Sequence, residues 1–279
     1  MNKQIVFQSD FGLADGAVSA MHGVALNTDP DLKIFNLTHE IEPYNIWEAS
    51  YRLFQTVEYW VEGTVFVSVV DPGVGTSRRS VVARTNGGHY IVTPDNGSLT
   101  HIKRYVGIGA VREISESRHR RKNSQYSNTF HGRDVYALVG AKLASGKITF
   151  EEVGDELEPG SIVELPLGEV TVGPGSVTGC IDILDVRFGS LWTNIERTRF
   201  ETLGIHYGDM VQITIFNGRA LVYSNRIHYA RSFADVYVGE PLLYVNSLNR
   251  MAVAINQGNF ARAYNIGTGL NWTLQCEKV

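Results

Sequence analysis

The sequence predicts an α/β domain with a largely parallel sheet between helices, followed by a smaller β domain. In the first 160 of the 279 residues, short apolar runs alternate with segments of helical spacing, the pattern of helices that cover a sheet. The run at 64–70 is β-branched and uninterrupted, which is typical of a strand buried on both faces. Later segments are short, β-rich and separated by turn residues, which favours a small antiparallel barrel or sandwich.

The individual elements follow from periodicity and from Pro and Gly positions. Strands are predicted at 5–8, 33–37, 64–70, 80–83 and 90–92, helices at 15–28, 46–60 and 133–144, and later strands at 176–185, 210–216, 221–224, 241–245 and 251–255. A stretch rich in Pro and Gly interrupts the pattern after Glu158. We therefore predict domains at 1–160 and 176–279, joined by a linker at 161–175.

Composition and charge exclude several classes of protein. A hydrophobic content of 43% with 19% charged residues argues against disorder, and a net charge of −4 gives no electrostatic footprint for nucleic acid. There is no apolar run of about 20 residues that could span a membrane. Lys3 argues against a signal peptide, and two widely separated cysteines argue against a disulfide scaffold. We expect a cytoplasmic protein without nucleic-acid or membrane partners.

Two aspartates stand where ligands of α/β proteins bind, beyond the carboxyl ends of strands. Asp10 follows the first predicted strand and Asp71 follows the strand at 64–70, and each precedes a loop that contains Gly. Either aspartate alone could be a turn or a helix cap. The Asp71 loop could also cradle a phosphate, although it lacks the Lys-Ser/Thr ending of a P-loop. Asp10 and Asp71 together favour a ligand-binding site.

A third candidate is His131, which lies beside Gly132 at the predicted start of a helix. It could equally belong to a solvated capping loop. The other histidines have no metal-ligand spacing, so no metal site is predicted. The basic run at 118–122 has no interleaved aromatic residues, so we expect a solvated, mobile loop there.

The β-rich part carries a further candidate segment at 185–194. It combines Asp185 with the aromatic residues Phe188 and Trp192 and with Asn194. These side chains could form a flat pocket for a ring system. An ordinary hairpin with a half-buried Trp would have the same composition.

Taken together, the segments resemble the S-adenosyl-L-methionine (SAM) hydrolase, or hydroxide adenosyltransferase, family, which is related to the SAM-dependent fluorinase and chlorinase. The matching segments occur in family order over nearly the whole chain: Ser9-Asp10-Phe11-Gly12, Leu37-Thr38-His39, Val69 to Thr76 (VVDPGVGT), Pro94-Asp95-Asn96-Gly97, Thr129 to Asp134 (TFHGRD), Phe188-Gly189 with Thr193-Asn194-Ile195, and Asn246-Ser247. The segments VVDPGVGT and TFHGRD are specific for this family when they occur together.

The resemblance implies a C-terminal β-barrel, a homotrimer with the ligand between neighbouring subunits, and conversion of SAM and water to adenosine and L-methionine without a cofactor. The catalytic Asp, Arg and His of the family map onto Asp71, Arg78 and His131. The halogenases resemble the hydrolases but carry Tyr in place of the Asp, and the fluorinase has a long insertion. Asp71 and the short stretch at 79–93 favour water over halide.

The resemblance also implies roles in substrate binding. These fall on Asp10 for the ribose, Tyr44 near the sugar, Asp185 for the methionine ammonium, Phe188 and Trp192 for packing, Ser190 at the adenine edge and Ser247 for the methionine carboxylate. Ser190 departs from the usual Asn, Ala17 from Tyr and Ala252 from Glu. A halogenase and a non-catalytic SAM- or adenosine-binding module stay open as alternatives. A methyltransferase is disfavoured, because no GxGxxG loop opens the first helix.

Overall fold

The computed structural model describes residues 2–279. The chain divides into two compact units, Met1–Leu165 and Pro166–Val279. The finer boundaries proposed from the sequence stay a prediction. Each unit has a sheet and a hydrophobic core of its own.

The first unit follows the predicted alternation of strands and helices. Its strands are β1 (Gln4–Ser9), β2 (Lys33–Thr38), β3 (Val65–Val69), β4 (Ser80–Thr85), β5 (Tyr90–Pro94), β6 (Ile108–Glu113) and β7 (Glu156–Leu157). Its α-helices are α1 (Ala17–Thr28), α2 (Ile46–Thr56), α3 (Glu116–His119) and α4 (Ala137–Ala144), and a π-helical turn, Gly132–Tyr136, leads directly into α4. The predicted strands and helices of this unit are confirmed.

The sheet of this unit is mixed, so the prediction of a largely parallel sheet is wrong. Its strand order is β2-β1-β3-β5-β4-β6-β7. β1 pairs parallel with β2 and β3, and β3 pairs parallel with β5, whereas the pairings β5–β4, β4–β6 and β6–β7 are antiparallel. For the β4–β5 pair the reason is the short connection at 86–89, because a parallel crossover needs a dozen or more residues.

Helices cover both faces of the sheet because successive side chains of a strand point to opposite sides. On one face, Ile5 and Phe7 of β1 join the core cluster that contains Met21 of α1. On the other face, Val6 joins a separate cluster with Leu53 of α2. The central strands are therefore buried on both sides, and their carboxyl ends open onto one edge of the sheet.

The second unit is a closed barrel of seven strands, which confirms the predicted β-barrel. The strands of this unit, of which all but β8 form the barrel, are β8 (Thr171–Gly173), β9 (Ser176–Leu184), β10 (Leu191–Glu196), β11 (Met210–Asn217), β12 (Ala220–Tyr229), β13 (Pro241–Val245), β14 (Arg250–Ile255) and β15 (Gly269–Lys278). Its short helices are α5 (Arg197–Glu201) and α6 (Phe260–Tyr264). The ring β10-β14-β13-β12-β11-β15-β9 closes through the β9–β10 pairing, and β8 adds to the outside of β9. Closure leaves no free edge in the ring.

Candidate active site

A cavity of about 390 Å³ in the first unit brings together four of the residues proposed from the sequence. Asp10 follows β1 and Asp71 follows β3, so both lie where the carboxyl ends of parallel strands meet. Tyr44 and His131 complete the group. The full lining is Asp10, Phe11, Pro43, Tyr44, Val69, Asp71, Val74, Thr129, Phe130, His131 and Gly132. The volume lies in the usual range for small-molecule sites.

Arg78 holds Asp71 with a bidentate ion pair. Arg78 Nε donates to Asp71 Oδ1 over 2.8 Å, and Nη2 donates to Oδ2 over 2.5 Å. Only 4% of the Asp71 side chain and 11% of the Arg78 side chain are exposed. Two parallel hydrogen bonds fix the plane of the carboxylate as well as its position. The pair therefore places a rigid carboxylate at the wall of the cavity, with its charge balanced by a neighbour.

The loop that carries Asp71 is held by the Pro94-Asp95-Asn96-Gly97 turn. Asn96 Nδ2 donates to the carbonyl oxygen of Val70 over 2.9 Å, directly before Asp71. At the far end of the loop, Arg79 Nη2 pairs with Asp95 Oδ2 over 2.5 Å. This motif, which by itself indicates only a turn, has a structural role here. It anchors both ends of the Asp71 loop to the sheet.

Gly75 joins this loop to the segment before His131. Its φ of +81° lies in the left-handed region, and a Cβ there would lie 2.9 Å from the backbone oxygen of Asn128. Only Gly permits both the conformation and the close approach. The Asp71 loop and the His131 segment are therefore packed backbone against backbone.

His131 is 4% exposed and contacts Glu116, a residue that the sequence analysis missed. Its Nε2 lies 3.4 Å from Glu116 Oε2. Its Nδ1 is buried and has no hydrogen-bond partner in the structure. The hydrogen bond from His131 lowers the pKa of Glu116, although partial burial of the carboxyl opposes the shift. Glu116 is thus held as a carboxylate beside the imidazole.

Ser80 and Tyr136 connect the Asp71–Arg78 pair to Glu116. Tyr136 Oη donates to Asp71 Oδ2 over 3.4 Å and lies 3.2 Å from Ser80 Oγ. Ser80 Oγ in turn donates to Glu116 Oε1 over 3.2 Å and accepts from Arg78 Nη1 over 2.9 Å. Burial, reinforced by the charge of Asp71, raises the pKa of Tyr136, so its phenol stays a donor. One hydrogen-bond network therefore links all three proposed catalytic residues.

Within the basic run at 118–122, Arg118, Arg121 and Lys122 are exposed as predicted, whereas His119 and Arg120 pack against this region. His119 is 6% exposed and its Nε2 donates to the carbonyl oxygen of Glu152 over 2.8 Å. Arg120 Nη1 pairs with Glu116 Oε2 over 3.2 Å, and Nη2 donates to the carbonyl oxygen of Ser127. His119 and Arg120 are therefore held by specific partners and are not part of a solvated loop.

Asp10 and Tyr44 form the other wall of the cavity. The Tyr44 N–H donates to Asp10 Oδ2 over 2.9 Å. Tyr44 has a φ of +69°, which is uncommon for a bulky residue and costs about 1–3 kcal/mol. Tyr44 is 72% exposed. The Asp10 carboxylate therefore stabilises a strained turn that presents an aromatic ring at the cavity.

Behind Asp10, the buried His39 makes the stability of this wall depend on pH. Ser9 Oγ lies 2.7 Å from His39 Nδ1, and Asn36 Oδ1 lies 3.0 Å from Nε2. Burial, with a smaller contribution from the nearby His22, lowers the pKa of His39 from 6.5 to about 4. The folded state therefore keeps His39 neutral where the unfolded chain already binds a proton.

We expect the free energy of unfolding to fall as the pH drops from 6.5 towards 4, because only the unfolded state gains the His39 proton in that window. At about 1.36 kcal/mol per pKa unit, the His39 contribution is at most about 3 kcal/mol. Urea unfolding at pH 7 and pH 4.5 measures it, with His39→Gln in parallel. The variant should show a shallower loss between the two pH values, and equal losses would contradict the assignment.

In the second unit, four of the five proposed binding residues cluster around the β9–β10 connection. Asp185 Oδ1 accepts from the N–H of Phe188, whose ring is 69% exposed. Ser190 and Trp192 are buried, and Trp192 Nε1 donates over 3.2 Å to the hydroxyl of Tyr244, a residue not predicted from the sequence. The ladder register relates these residues to Ser247. Trp192 pairs with Ala252, and Glu196 pairs with Arg250.

Ser247 lies apart from this cluster. It is exposed in the turn between β13 and β14, beside Arg250, whereas the 185–190 connection leads into Leu191 at the opposite end of β10. Within one barrel, the two groups therefore lie at different ends of the β10–β14 ladder.

No metal site or membrane span is found in the part of the chain that the structure describes. Among residues 2–279, no group of three His, Cys, Asp or Glu side chains is placed to hold a metal ion. Within the same residues, every helix is too short or too polar to cross a bilayer.

Comparison with known proteins decides the family. A model of the SAM hydroxide adenosyltransferase N-terminal domain matches residues 5–154, and the model of its C-terminal domain matches residues 179–273. The chain belongs to the SAM hydroxide adenosyltransferase family. The resemblance found from the motifs is thereby confirmed, and it extends across both units of the structure.

Relatives within the family carry two different names. An (R)-S-adenosyl-L-methionine hydrolase of Salinispora arenicola is 35% identical over 260 residues, covering 92% of each chain. A fluorinase of Actinopolyspora mzabensis is 28% identical, covering 96% of this chain and 95% of its own. A crystal structure of an uncharacterized conserved protein from Thermotoga maritima superposes with a TM-score of 0.89 at 34% identity, covering 98% of this chain and all of that one. Hydrolases and fluorinases thus both match this chain over nearly its whole length.

Proposed function

We propose that this protein hydrolyses SAM to adenosine and L-methionine by attack of water at C5′. The observation that carries the proposal is the Asp71–Arg78 ion pair beside His131 at one cavity, in a chain of the SAM hydroxide adenosyltransferase family. A family member curated as (R)-S-adenosyl-L-methionine hydrolase supports the substrate. The reaction needs no cofactor, because SAM itself is the reactive substrate.

The difficult part of this reaction is the activation of water as the nucleophile. The sulfonium of SAM leaves as a neutral thioether, so the leaving group needs no protonation. Free water has a pKa of about 15.7 and an ordinary carboxylate about 3.9, so complete proton transfer before attack would cost roughly 16 kcal/mol. We therefore propose that Asp71, Arg78 and His131 orient a water in line with C5′, and that His131 accepts its proton as the C–O bond forms.

A carboxylate at this position favours water over a halide ion. Asp71 is fixed at the cavity by Arg78, and its oxygens can accept hydrogen bonds from water. A halide has no hydrogen to donate and is repelled by a carboxylate at close range. The connection between β4 and β5 is a short turn at 86–89, which leaves no room for the long insertion that the resemblance associates with the fluorinase. Hydrolysis is therefore the reaction that these residues suit.

Binding roles are proposed for the remaining residues. Asp10 and Tyr44 would contact the sugar, which their places at the cavity wall support. We also propose that Asp185, Phe188, Ser190, Trp192 and Ser247 contribute to substrate binding, and that the protein assembles as a homotrimer in which a neighbouring subunit completes the site. The exposed ring of Phe188 supports this assembly, since an aromatic side chain in water gains stability when a ligand or partner covers it.

Product analysis tests the proposed reaction against its alternatives. The purified protein is incubated with SAM alone and with SAM plus excess chloride or fluoride, and the nucleosides are separated and identified by mass spectrometry. We expect adenosine and L-methionine in equal amounts under all conditions. A 5′-halogenated nucleoside would identify a halogenase. SAM that binds but is recovered intact would identify a non-catalytic module.

A further inference from the structure

Glu116 is placed to control which nitrogen of His131 is free to act. His131 lies in the cavity wall, and its Nε2 faces Glu116 Oε2 at 3.4 Å. A carboxylate only accepts hydrogen bonds, so the proton of a neutral imidazole must lie on Nε2 in this contact. The lone pair then lies on Nδ1, the nitrogen that is buried without a partner. The protein itself leaves this lone pair unused.

The other contacts of Glu116 fix its orientation towards His131. Ser80 Oγ donates to Oε1 over 3.2 Å, and Arg120 Nη1 pairs with Oε2 over 3.2 Å. Both oxygens are therefore engaged, and the carboxylate cannot rotate away without breaking a contact. Glu116 is itself absent from the cavity lining, so it would act through His131 and would not touch the substrate.

We propose that Glu116 is a positioning residue for the reaction, which holds His131 as the Nε2–H tautomer and stabilises the imidazolium formed when Nδ1 accepts a proton. This inference rests on the proposed function. As the C5′–O bond forms, the C5′–S bond breaks and its electron pair goes to sulfur, giving the neutral thioether of methionine. The proton lost by water passes to Nδ1 of His131 and then to solvent. Positioned carboxylates serve histidine bases in this way in unrelated enzymes.

Kinetics of Glu116 variants test the positioning role. We expect Glu116→Ala to lower kcat by on the order of 10²-fold with little change in KM, and Glu116→Gln to lower it less, because the amide oxygen still accepts from Nε2. Glu156→Gln is the matched control, since Glu156 pairs with Arg112 in the same unit away from the cavity. It should keep the wild-type rate. Equal kcat in Glu116→Ala and wild type would overturn the proposal.

A double variant separates action through His131 from a general loss of structure. If Glu116 acts only through His131, then His131→Asn with Glu116→Ala should be no slower than His131→Asn alone. Independent, multiplying losses in the double variant would contradict the proposal.

Nitrogen-15 NMR of the histidine rings reads the tautomer without any turnover, with the His131 signals assigned from the His131→Asn variant. We expect a protonated Nε2 and a bare Nδ1 in the wild type, and a mixture of tautomers in Glu116→Ala. A protonated Nδ1 in the wild type would overturn the inference. If the wild type fails to hydrolyse SAM, the proposed function falls, and so does the catalytic part of this proposal. The NMR result still decides whether Glu116 fixes the tautomer.

Discussion

Asp71→Asn is expected to lower kcat for SAM hydrolysis by on the order of 10³-fold, because the attacking water loses the carboxylate that orients it. The amide keeps the size of the side chain and one acceptor oxygen. It cannot form the charged bidentate pair that Arg78 makes with both carboxylate oxygens. Steady-state kinetics with adenosine detection, together with SAM binding by calorimetry, measure the change.

The same substitution leaves the buried Arg78 without its counter-ion, which should lower the free energy of unfolding by about 3 kcal/mol. Asp182→Asn is the matched control, because Asp182 is also a buried aspartate that pairs with an arginine, Arg250, over 3.0 Å in the barrel. It should lose stability but retain turnover. An Asp71→Asn enzyme that binds SAM and turns over at the wild-type rate would remove Asp71 from the mechanism.

Gly75→Ala is expected to lower kcat by on the order of 10²-fold, since even small displacements of catalytic groups have effects of this size. The new Cβ would lie 2.9 Å from the backbone oxygen of Asn128, so the Asp71 loop and the segment before His131 must move apart. The strained φ of +81° should also lower the free energy of unfolding by about 1–3 kcal/mol. Kinetics and urea unfolding of the same preparation report the two effects.

Gly146→Ala separates backbone strain from displacement of the site. Gly146 has a comparable φ of +73°, but no atom lies within 4 Å of the position that a Cβ would take there. Its Ala variant should therefore lose stability and keep the wild-type kcat. If Gly75→Ala and Gly146→Ala have the same kinetics, the packing of the Asp71 loop against Asn128 has no bearing on catalysis.

Local patterns were sufficient for much of the fold. The β-branched run at 64–70 indicates a strand buried on both faces, and β3 is that strand. Strand direction is a different matter, because it depends on how each connection crosses the sheet. The four residues between β4 and β5 force an antiparallel pair. The apolar composition of the two strands does not reveal their direction.

Some residues of the candidate site could likewise be predicted from the sequence and others could not. Asp71 and His131 could be proposed from their places after a strand and before a helix, and the family resemblance added Arg78; the structure connects the three residues at one cavity. Glu116 and Tyr136 could not be found in this manner. Their importance lies in contacts with partners 15 to 65 positions away, which arise only when the chain folds.

The origin of the 5′-oxygen in adenosine tests attack by water most directly. The protein is incubated with SAM in water enriched in oxygen-18, and the adenosine is analysed by mass spectrometry, with Asp71→Asn in parallel. We expect the wild type to form adenosine with one oxygen-18 atom in its 5′-hydroxyl, and Asp71→Asn to form almost none of this labelled product. Adenosine without the label, or labelled adenosine formed equally by both proteins, would contradict attack by a water that Asp71 orients.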